Sequence, residues 1–315
     1  MTYSSIAVPL VVSTAFSPGH ITGFFEKPTN KKYSDVLYYG PKGAGFSFKK
    51  GVTSIVEIYP SKKKQYQIFI NGSLYYDAEV SNWISGYYLD RINSNYLIKI
   101  NHNVDIPIGF GLGASGAAAL SLSYALNEAL CTGLDRKGAA QIAHIAEIEC
   151  HTGLGTVISE FYGGLEIRTS FGAPGIGQIS KLKLTGYKAI ILCINPIPTK
   201  KILATYSNQA NVLGNNMVEK LFLSPNVQDF LKMSREFSEF LRLTKGICSK
   251  PIKKLNDAGI ECSVALFGET VFTLVPEEES STVISILQDF PGTLIVSDID
   301  NNGASIKGNK YNAKG

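Results

Sequence analysis

The chain has 315 residues, 44% hydrophobic and 18% charged, a composition that supports a sizeable core and excludes a disordered protein. Its 30 basic and 26 acidic residues give a thinly spread net charge of +4, which predicts no nucleic-acid partner. No apolar run approaches the length of about 20 residues that crosses a bilayer. The five cysteines form no CxxC pair, which favours a reducing compartment. These features predict a cytoplasmic protein without a membrane partner.

β-strands are predicted for much of the first hundred residues. Runs rich in apolar, β-branched and aromatic residues predict strands at residues 6–12, 52–59, 66–70 and 96–100. Asn71-Gly72, which follows the third of these runs, is typical of a two-residue hairpin turn.

Helices and strands alternate further along the chain. Good helix formers predict a helix at 117–130, and Asp135 is placed to cap a second helix at 136–150. The remaining elements are strands at 187–195, at 264–275 with an interruption at Gly268, and at 294–297, and helices near 200–215, 226–248, 250–258 and 279–289. This alternation predicts an α/β protein whose second half contains a split βαβ, ferredoxin-like layer.

A change of composition marks the boundary between two predicted domains. Residues 172–186 are rich in Gly, Pro, Ser and Lys. We therefore expect an N-terminal domain at 1–186 and a C-terminal domain at 187–315.

Glycine is concentrated in one part of the chain, where 13 of the 30 glycines lie between residues 105 and 177. The strongest motif runs from Pro107 to Ala118 and leads into the predicted helix. Its glycines let the backbone approach an anion, and the positive end of the helix dipole points at the same place. The predicted phosphate-binding residues are Pro107, Gly109, Gly111, Leu112, Gly113, Ala114, Ser115, Gly116 and Ala117.

Other interpretations of this region stay open. Three glycines of the loop also spell GxGxxG, but a dinucleotide site needs an acidic residue after a following strand, and Asp135 instead fits a helix cap. The GK[ST] ending of a Walker A loop is absent. His144, Glu147 and His151 share one helical face, which allows a transition-metal site as a further alternative.

The string from Pro107 to Ala118 resembles the phosphate loop of the GHMP kinases, P-x-x-x-G-L-G-S-S-A-A, with Ala114 at its first serine and Gly116 at its alanine. Residues 17–25 (SPGHITGFF) resemble the N-terminal motif of that family, and residues 265–272 (ALFGETVF) resemble its C-terminal glycine motif. Within the family the likeness is to the archaeal pantoate kinases, over roughly residues 13–306. The segments that carry this narrower likeness are 18–25, 43–45, 143–147, 152–155 with 163–164, and 172–175.

This resemblance implies the α/β GHMP kinase fold, with an N-terminal nucleotide-binding domain and a C-terminal ferredoxin-like domain. It also implies phosphorylation of a primary hydroxyl on a small hydroxy acid, with ATP and Mg²⁺ as cofactors. Pantoate is the first candidate substrate and mevalonate 3-phosphate the second. A non-catalytic ligand sensor of the same fold stays open, and so does a homodimer.

The predicted catalytic residues are Ser115, Glu147 and Thr156, and the first two are also the predicted metal ligands. Many GHMP kinases carry a catalytic aspartate at the position of Thr156. Threonine cannot serve as a base near neutral pH, so either another group accepts the proton or the reaction uses no strong base. The predicted substrate-binding residues are His20, Thr22, Arg168, Gly268 and Thr270, with Arg168 as a clamp for a carboxylate.

Overall fold

The strands form two sheets in the computed structural model, which describes residues 8–28, 35–153, 155–197 and 207–311. The eight-stranded sheet contains β1 (Val11–Glu26), β2 (Lys42–Pro60), β3 (Gln65–Ile70), β4 (Ser73–Leu74), β5 (Tyr96–Val104), β6 (Leu165–Arg168) and β7 (Ile179–Leu182), together with the last strand of the chain. The four-stranded sheet contains β8 (Tyr187–Pro196), β9 (Ser263–Val264), β10 (Gly268–Pro276) and β11 (Thr293–Asp298). The last strand is β12 (Ser305–Tyr311).

Helices cover the sheets and connect their strands. They are α1 (Glu79–Asp90), α2 (Ala114–Ala129), α3 (Arg136–Glu149), α4 (Thr156–Tyr162), α5 (Asn208–Leu223), α6 (Val227–Phe240), α7 (Ser249–Asp257) and α8 (Ser280–Leu287). The predicted cap of α3 is confirmed, because the Asp135 carboxylate accepts a hydrogen bond from the Gly138 amide at 2.7 Å. No helix among the described residues is both long enough and apolar enough to span a bilayer.

The four-stranded sheet has the predicted ferredoxin-like arrangement. Its strand order is β11-β8-β10-β9, and every pair is antiparallel. β8 is buried on both faces: Ala189 and Ile191 face the core between the two sheets, whereas Ile190 and Leu192 face a second core beside α7 and α8. This two-sided burial explains why residues 189–194 form a continuous apolar run in the sequence.

Aromatic side chains join the two sheets. The ring of Phe230 on α6 lies 6.2 Å from that of Phe24 on β1 and 6.1 Å from that of Phe46 on β2. Phe46 in turn lies 5.6 Å from Phe272 on β10. All four side chains are fully buried, so this cluster determines how the second sheet sits against β1 and β2.

The last strand departs from the predicted division of the chain. β12 pairs antiparallel with β1 at the edge of the first sheet, although its residues belong to the predicted C-terminal domain. The boundary between residues 186 and 187 stays a prediction. If a domain begins at residue 187, its final strand lies in the sheet of the other domain, where it covers the edge of β1.

Several element boundaries also differ from the predictions. The strand at 264–275 is divided into β9 and β10 as predicted, and β10 begins at Gly268, which packs against the backbone of another loop. The predicted helix at 226–248 ends at Phe240, and Arg242 follows with a left-handed φ of 61°. Helices α1 and α4 and strands β6, β7 and β12 were not predicted. Residues 6–7 and 198–206, where a strand and a helix were predicted, lie outside the described residues.

Replacing Phe230 with alanine tests the role of the aromatic cluster. We expect the Phe230→Ala variant to lose about 3–5 kcal/mol of unfolding free energy, because side chains from neither sheet can fill the cavity that the missing ring leaves. Urea denaturation measures the loss. The matched control is Phe222→Ala on α5, whose ring is half exposed and whose loss should be below about 1 kcal/mol. Equal losses in the two variants would contradict the interpretation.

Candidate functional site

A cavity of about 380 Å³ lies where β1, the glycine-rich loop before α2, and the segment between α3 and α4 meet. Twelve of the predicted site residues line it: His20, Thr22, Gly109, Gly111, Leu112, Gly113, Ala114, Ser115, Gly116, Glu147, Thr156 and Arg168. The structure therefore brings together residues that are far apart in the sequence. Pro107 and Ala117 lie outside the cavity wall, at the two ends of the loop.

The loop itself depends on left-handed glycines. Gly109, Gly111 and Gly113 have φ values of 89°, 76° and 74°, which other residues rarely adopt. Gly113 is also closely packed, because an added methyl group would lie 3.1 Å from the backbone nitrogen of His20. The residues that follow Gly113 form the first turn of α2, whose free amide groups make a site for an anion.

Three hydrogen bonds hold the loop in place. The amide of His20 donates to the carbonyl of Leu112 at 3.0 Å, and the amide of Ile197 donates to the carbonyl of Gly109 at 3.0 Å. The hydroxyl of Thr270 donates to the carbonyl of Phe110 at 2.9 Å. The loop is therefore attached to both sheets.

Gly268 and Thr270, which were predicted to bind substrate, lie on the far side of the loop from the cavity. A methyl group on Gly268 would lie 2.3 Å from the carbonyl oxygen of Phe110, and the Thr270 hydroxyl is bonded to that same oxygen. Both residues hold the back of the loop and neither lines the cavity. Glycine is required at position 268 because another group packs closely against it, as its motif suggested. That group is protein backbone.

Ser115 and Glu147 form a compact pair on the cavity wall. Oε1 of Glu147 accepts hydrogen bonds from the hydroxyl of Ser115 at 2.5 Å and from the hydroxyl of Thr152 at 2.7 Å. Glu147 is 2% exposed, and this burial raises the pKa of its carboxyl group, whereas the two hydroxyl donors lower it. Hydroxyl and carboxylate oxygens are the donors that a hard cation such as Mg²⁺ prefers.

His144 does not join these residues. Its Nε2 donates to the carbonyl of Tyr39 at 2.7 Å. In the described part of the chain, no group of three His, Cys, Asp or Glu side chains is arranged to hold a metal ion. The transition-metal alternative therefore has no support in the geometry.

A buried charge network lies behind the opposite wall. Oε1 of Glu166 accepts hydrogen bonds from Nη1 of Arg168 at 2.8 Å and from Nε2 of His20 at 3.0 Å. Ser159 bonds to both Glu166 and Arg168. Nε and Nη2 of Arg168 have no hydrogen-bond partner among the described residues. Both nitrogens are enclosed by protein, so the guanidinium acts on the cavity through its positive charge.

Sequence reasoning missed part of the site. Phe25, Pro41 and Phe267 add an apolar wall, and the rings of Phe25 and Phe267 lie 6.1 Å apart. Nothing in the sequence marks these residues as neighbours. Glu166 could have been found, because the two-residue repeat of a strand places it on the same face as Arg168.

Comparisons with known proteins agree with this geometry. The family model of the GHMP kinases N terminal domain matches residues 83–164. The chain is 32% identical over 280 residues to a pantoate kinase of Methanocaldococcus jannaschii, covering 87% of this chain and 97% of that protein. It is 28% identical over 282 residues to a pantoate kinase of Thermococcus kodakarensis, covering 87% and 91% respectively. A solved phosphotransferase related to the CoA biosynthesis pathway matches with a TM-score of 0.84 and 26% identity, over 94% of this chain and 98% of that one.

Removing the charge of Arg168 tests the buried network. We expect Arg168→Met to cost about 3–5 kcal/mol of unfolding free energy, because it leaves the Glu166 carboxylate buried without its cation. The double variant Arg168→Met with Glu166→Gln should recover part of this loss. Arg91→Met on the exposed end of α1 is the control. The network would be unimportant for stability if urea denaturation gave the same value for Arg168→Met and the control.

Proposed function

Because this chain belongs to the pantoate kinases, a family of GHMP kinases, we propose that it transfers the γ-phosphoryl group of ATP to the primary hydroxyl of pantoate. The product would be 4-phosphopantoate, an intermediate of coenzyme A synthesis. The observation that carries the proposal is that one cavity joins three parts of such a site. These are the glycine loop, the Ser115–Glu147 pair, and the guanidinium of Arg168.

The loop is suited to the phosphates of ATP. Its left-handed glycines allow the loop to pack closely against neighbouring segments of the protein, and the first turn of α2 presents free amide groups to the cavity. Ser115 and Glu147 would hold Mg²⁺, since one supplies a hydroxyl oxygen and the other a carboxylate oxygen. When bound, the ion would neutralise phosphate charge. Thr152 would keep the Glu147 carboxylate oriented through its hydrogen bond.

Thr156 leaves position 156 without a carboxylate base. Its side chain lines the cavity one residue after Gly155, at the start of α4. Phosphoryl transfer depends mainly on positioning and on charge neutralisation, so a threonine at this position is compatible with turnover. We assign Thr156 to positioning of the acceptor hydroxyl.

We infer the acceptor from the two parts of the cavity wall that remain, which are Arg168 and the apolar side chains. The positive charge of Arg168, which lies at the cavity wall, would attract the carboxylate of the substrate. Phe25 and Phe267 would contact its hydrocarbon part, and pantoate carries two methyl groups on the carbon between its hydroxyl-bearing carbons. The acid group and the branched apolar centre of pantoate therefore each have a counterpart in the cavity.

Mevalonate 3-phosphate is less well matched, because its extra phosphate requires a further cation. Arg168 is the one Lys or Arg side chain among the described residues that line the cavity. Lys42 lies 2.5 Å from Glu26, and Lys49 lies 3.0 Å from Asp298, so both lysines near the N-terminal motif are engaged elsewhere. This charge count favours an acceptor with a single anionic group.

An assay with two acceptors tests the proposal. We expect ADP release with ATP, Mg²⁺ and pantoate, and at least about 10²-fold less with mevalonate 3-phosphate, because the second anion has no partner. Mass spectrometry of the product identifies the phosphorylated hydroxyl. Turnover of mevalonate 3-phosphate without turnover of pantoate would overturn the substrate assignment and leave the kinase assignment intact.

Substitutions of Glu147 and Ser115 test their proposed roles. Glu147→Gln keeps the shape but removes the charge that a hard cation prefers, so we expect the Mg²⁺ concentration for half-maximal rate to rise at least about tenfold. Ser115→Ala should reduce turnover by about 10²–10³-fold. Glu149→Gln, an exposed carboxyl on the same helix, is the control. An unchanged Mg²⁺ titration for Glu147→Gln would remove it from the proposed ion site.

A further inference from the structure

A fully buried carboxyl group lies directly under the phosphate loop. Glu160 on α4 is 0% exposed and is not part of the cavity wall. Its oxygens face the Cα atoms of two loop glycines. A methyl group on Gly113 would lie 2.6 Å from Oε1, and one on Gly116 would lie 2.8 Å from Oε2. Glu160 therefore supports the start of α2 from the side away from the cavity.

This carboxyl group has no partner that would stabilise a negative charge. Neither oxygen makes a hydrogen bond within the described residues. The side chains that act on it are two more carboxyl groups, Glu147 from α3 and Glu166 from β6. Burial and these two neighbours raise the pKa of Glu160 well above its ordinary value.

The basic side chains near this region are engaged with other groups. Arg168 on β6 and His20 on β1 both bond to Glu166, and Lys42 on β2 pairs with Glu26. An unpaired carboxylate in the interior costs several kcal/mol, and this cost favours the uncharged form of Glu160.

We propose that Glu160, in its uncharged form, is a positioning residue for nucleotide phosphates. It acts through Gly113 and Gly116, since the plane of its carboxyl group determines how closely the first turn of α2 can pack against α4. Its neutrality keeps a negative charge away from the site that receives the phosphates. The inference rests on the proposed function for the identity of the ligand, a nucleoside triphosphate or diphosphate.

The close packing of Glu160 against the loop also accounts for a departure from the family motif. Gly116 stands where the motif has alanine, and an alanine methyl would lie 2.8 Å from Oε2 of Glu160. Thr156 stands where many relatives have aspartate. The same added methyl on Gly116 would lie 3.1 Å from Cβ of Thr156, so an aspartate there would bring a further carboxyl group to this cluster. Both departures lie at the surface that Glu160 shares with the loop.

The experiment measures binding of Mg²⁺–ADP to the full chain by calorimetry, without an acceptor. At pH 7, Glu160→Gln should bind within about threefold of wild type, because the amide is neutral and of the same shape. Glu160→Ala should bind at least about tenfold more weakly, because the loop loses its support. Glu149→Ala is the exposed control, and circular dichroism establishes that each variant is folded.

Loss of binding in Glu160→Gln, or wild-type affinity in Glu160→Ala, would overturn the proposal. If wild type binds no nucleotide, the proposed function fails instead, so the two failures are distinguishable.

Discussion

The close packing of the phosphate loop against the rest of the chain is the constraint on which the site depends. The loop carbonyls of Gly109, Phe110 and Leu112 accept hydrogen bonds from three separate segments, which belong to both sheets. Each bond satisfies a carbonyl that would otherwise be unpaired near the protein interior. The position of the loop is consequently tied to the way the second sheet packs on the first. The buried aromatic cluster between the sheets maintains that packing.

The charges around the cavity are arranged so that each buried carboxyl group is compensated differently. Glu166 is paired with the guanidinium of Arg168, and Glu147 receives two hydroxyl donors. Glu160 has neither, and we infer that it is neutral. Because electrostatic interactions are strong in a poorly solvated site, the charge of Glu147 beside the loop requires a cation such as the proposed Mg²⁺, whereas an uncharged Glu160 adds no further negative charge there. This arrangement suits a site that accepts a polyanionic nucleotide.

The elements that sequence analysis predicted correctly are those with a strong local signal. Asp135 is a helix cap because its side chain meets an amide three residues away, and Asn71-Gly72 forms a hairpin turn whatever lies around it. The missed elements have weaker signals. Strands β6 and β7 are four residues each, and β12 is mostly exposed, so neither length nor periodicity identifies them.

For the site, the sequence was sufficient to recognise the family, the glycine loop and most of the polar residues that surround the cavity. These features lie in short motifs whose residues are close together in the sequence. The packing of the chain decided what each residue does. His20 and Glu166 are 146 positions apart, yet they share a hydrogen bond, and Thr270 reaches a carbonyl 160 positions away. Gly268 illustrates the same distinction. A glycine in this motif indicates that another group packs closely against it, but only the tertiary structure shows that this group is protein backbone. Long-range contacts of this kind arise from burial and hydrogen-bond satisfaction in three dimensions, which no local pattern encodes.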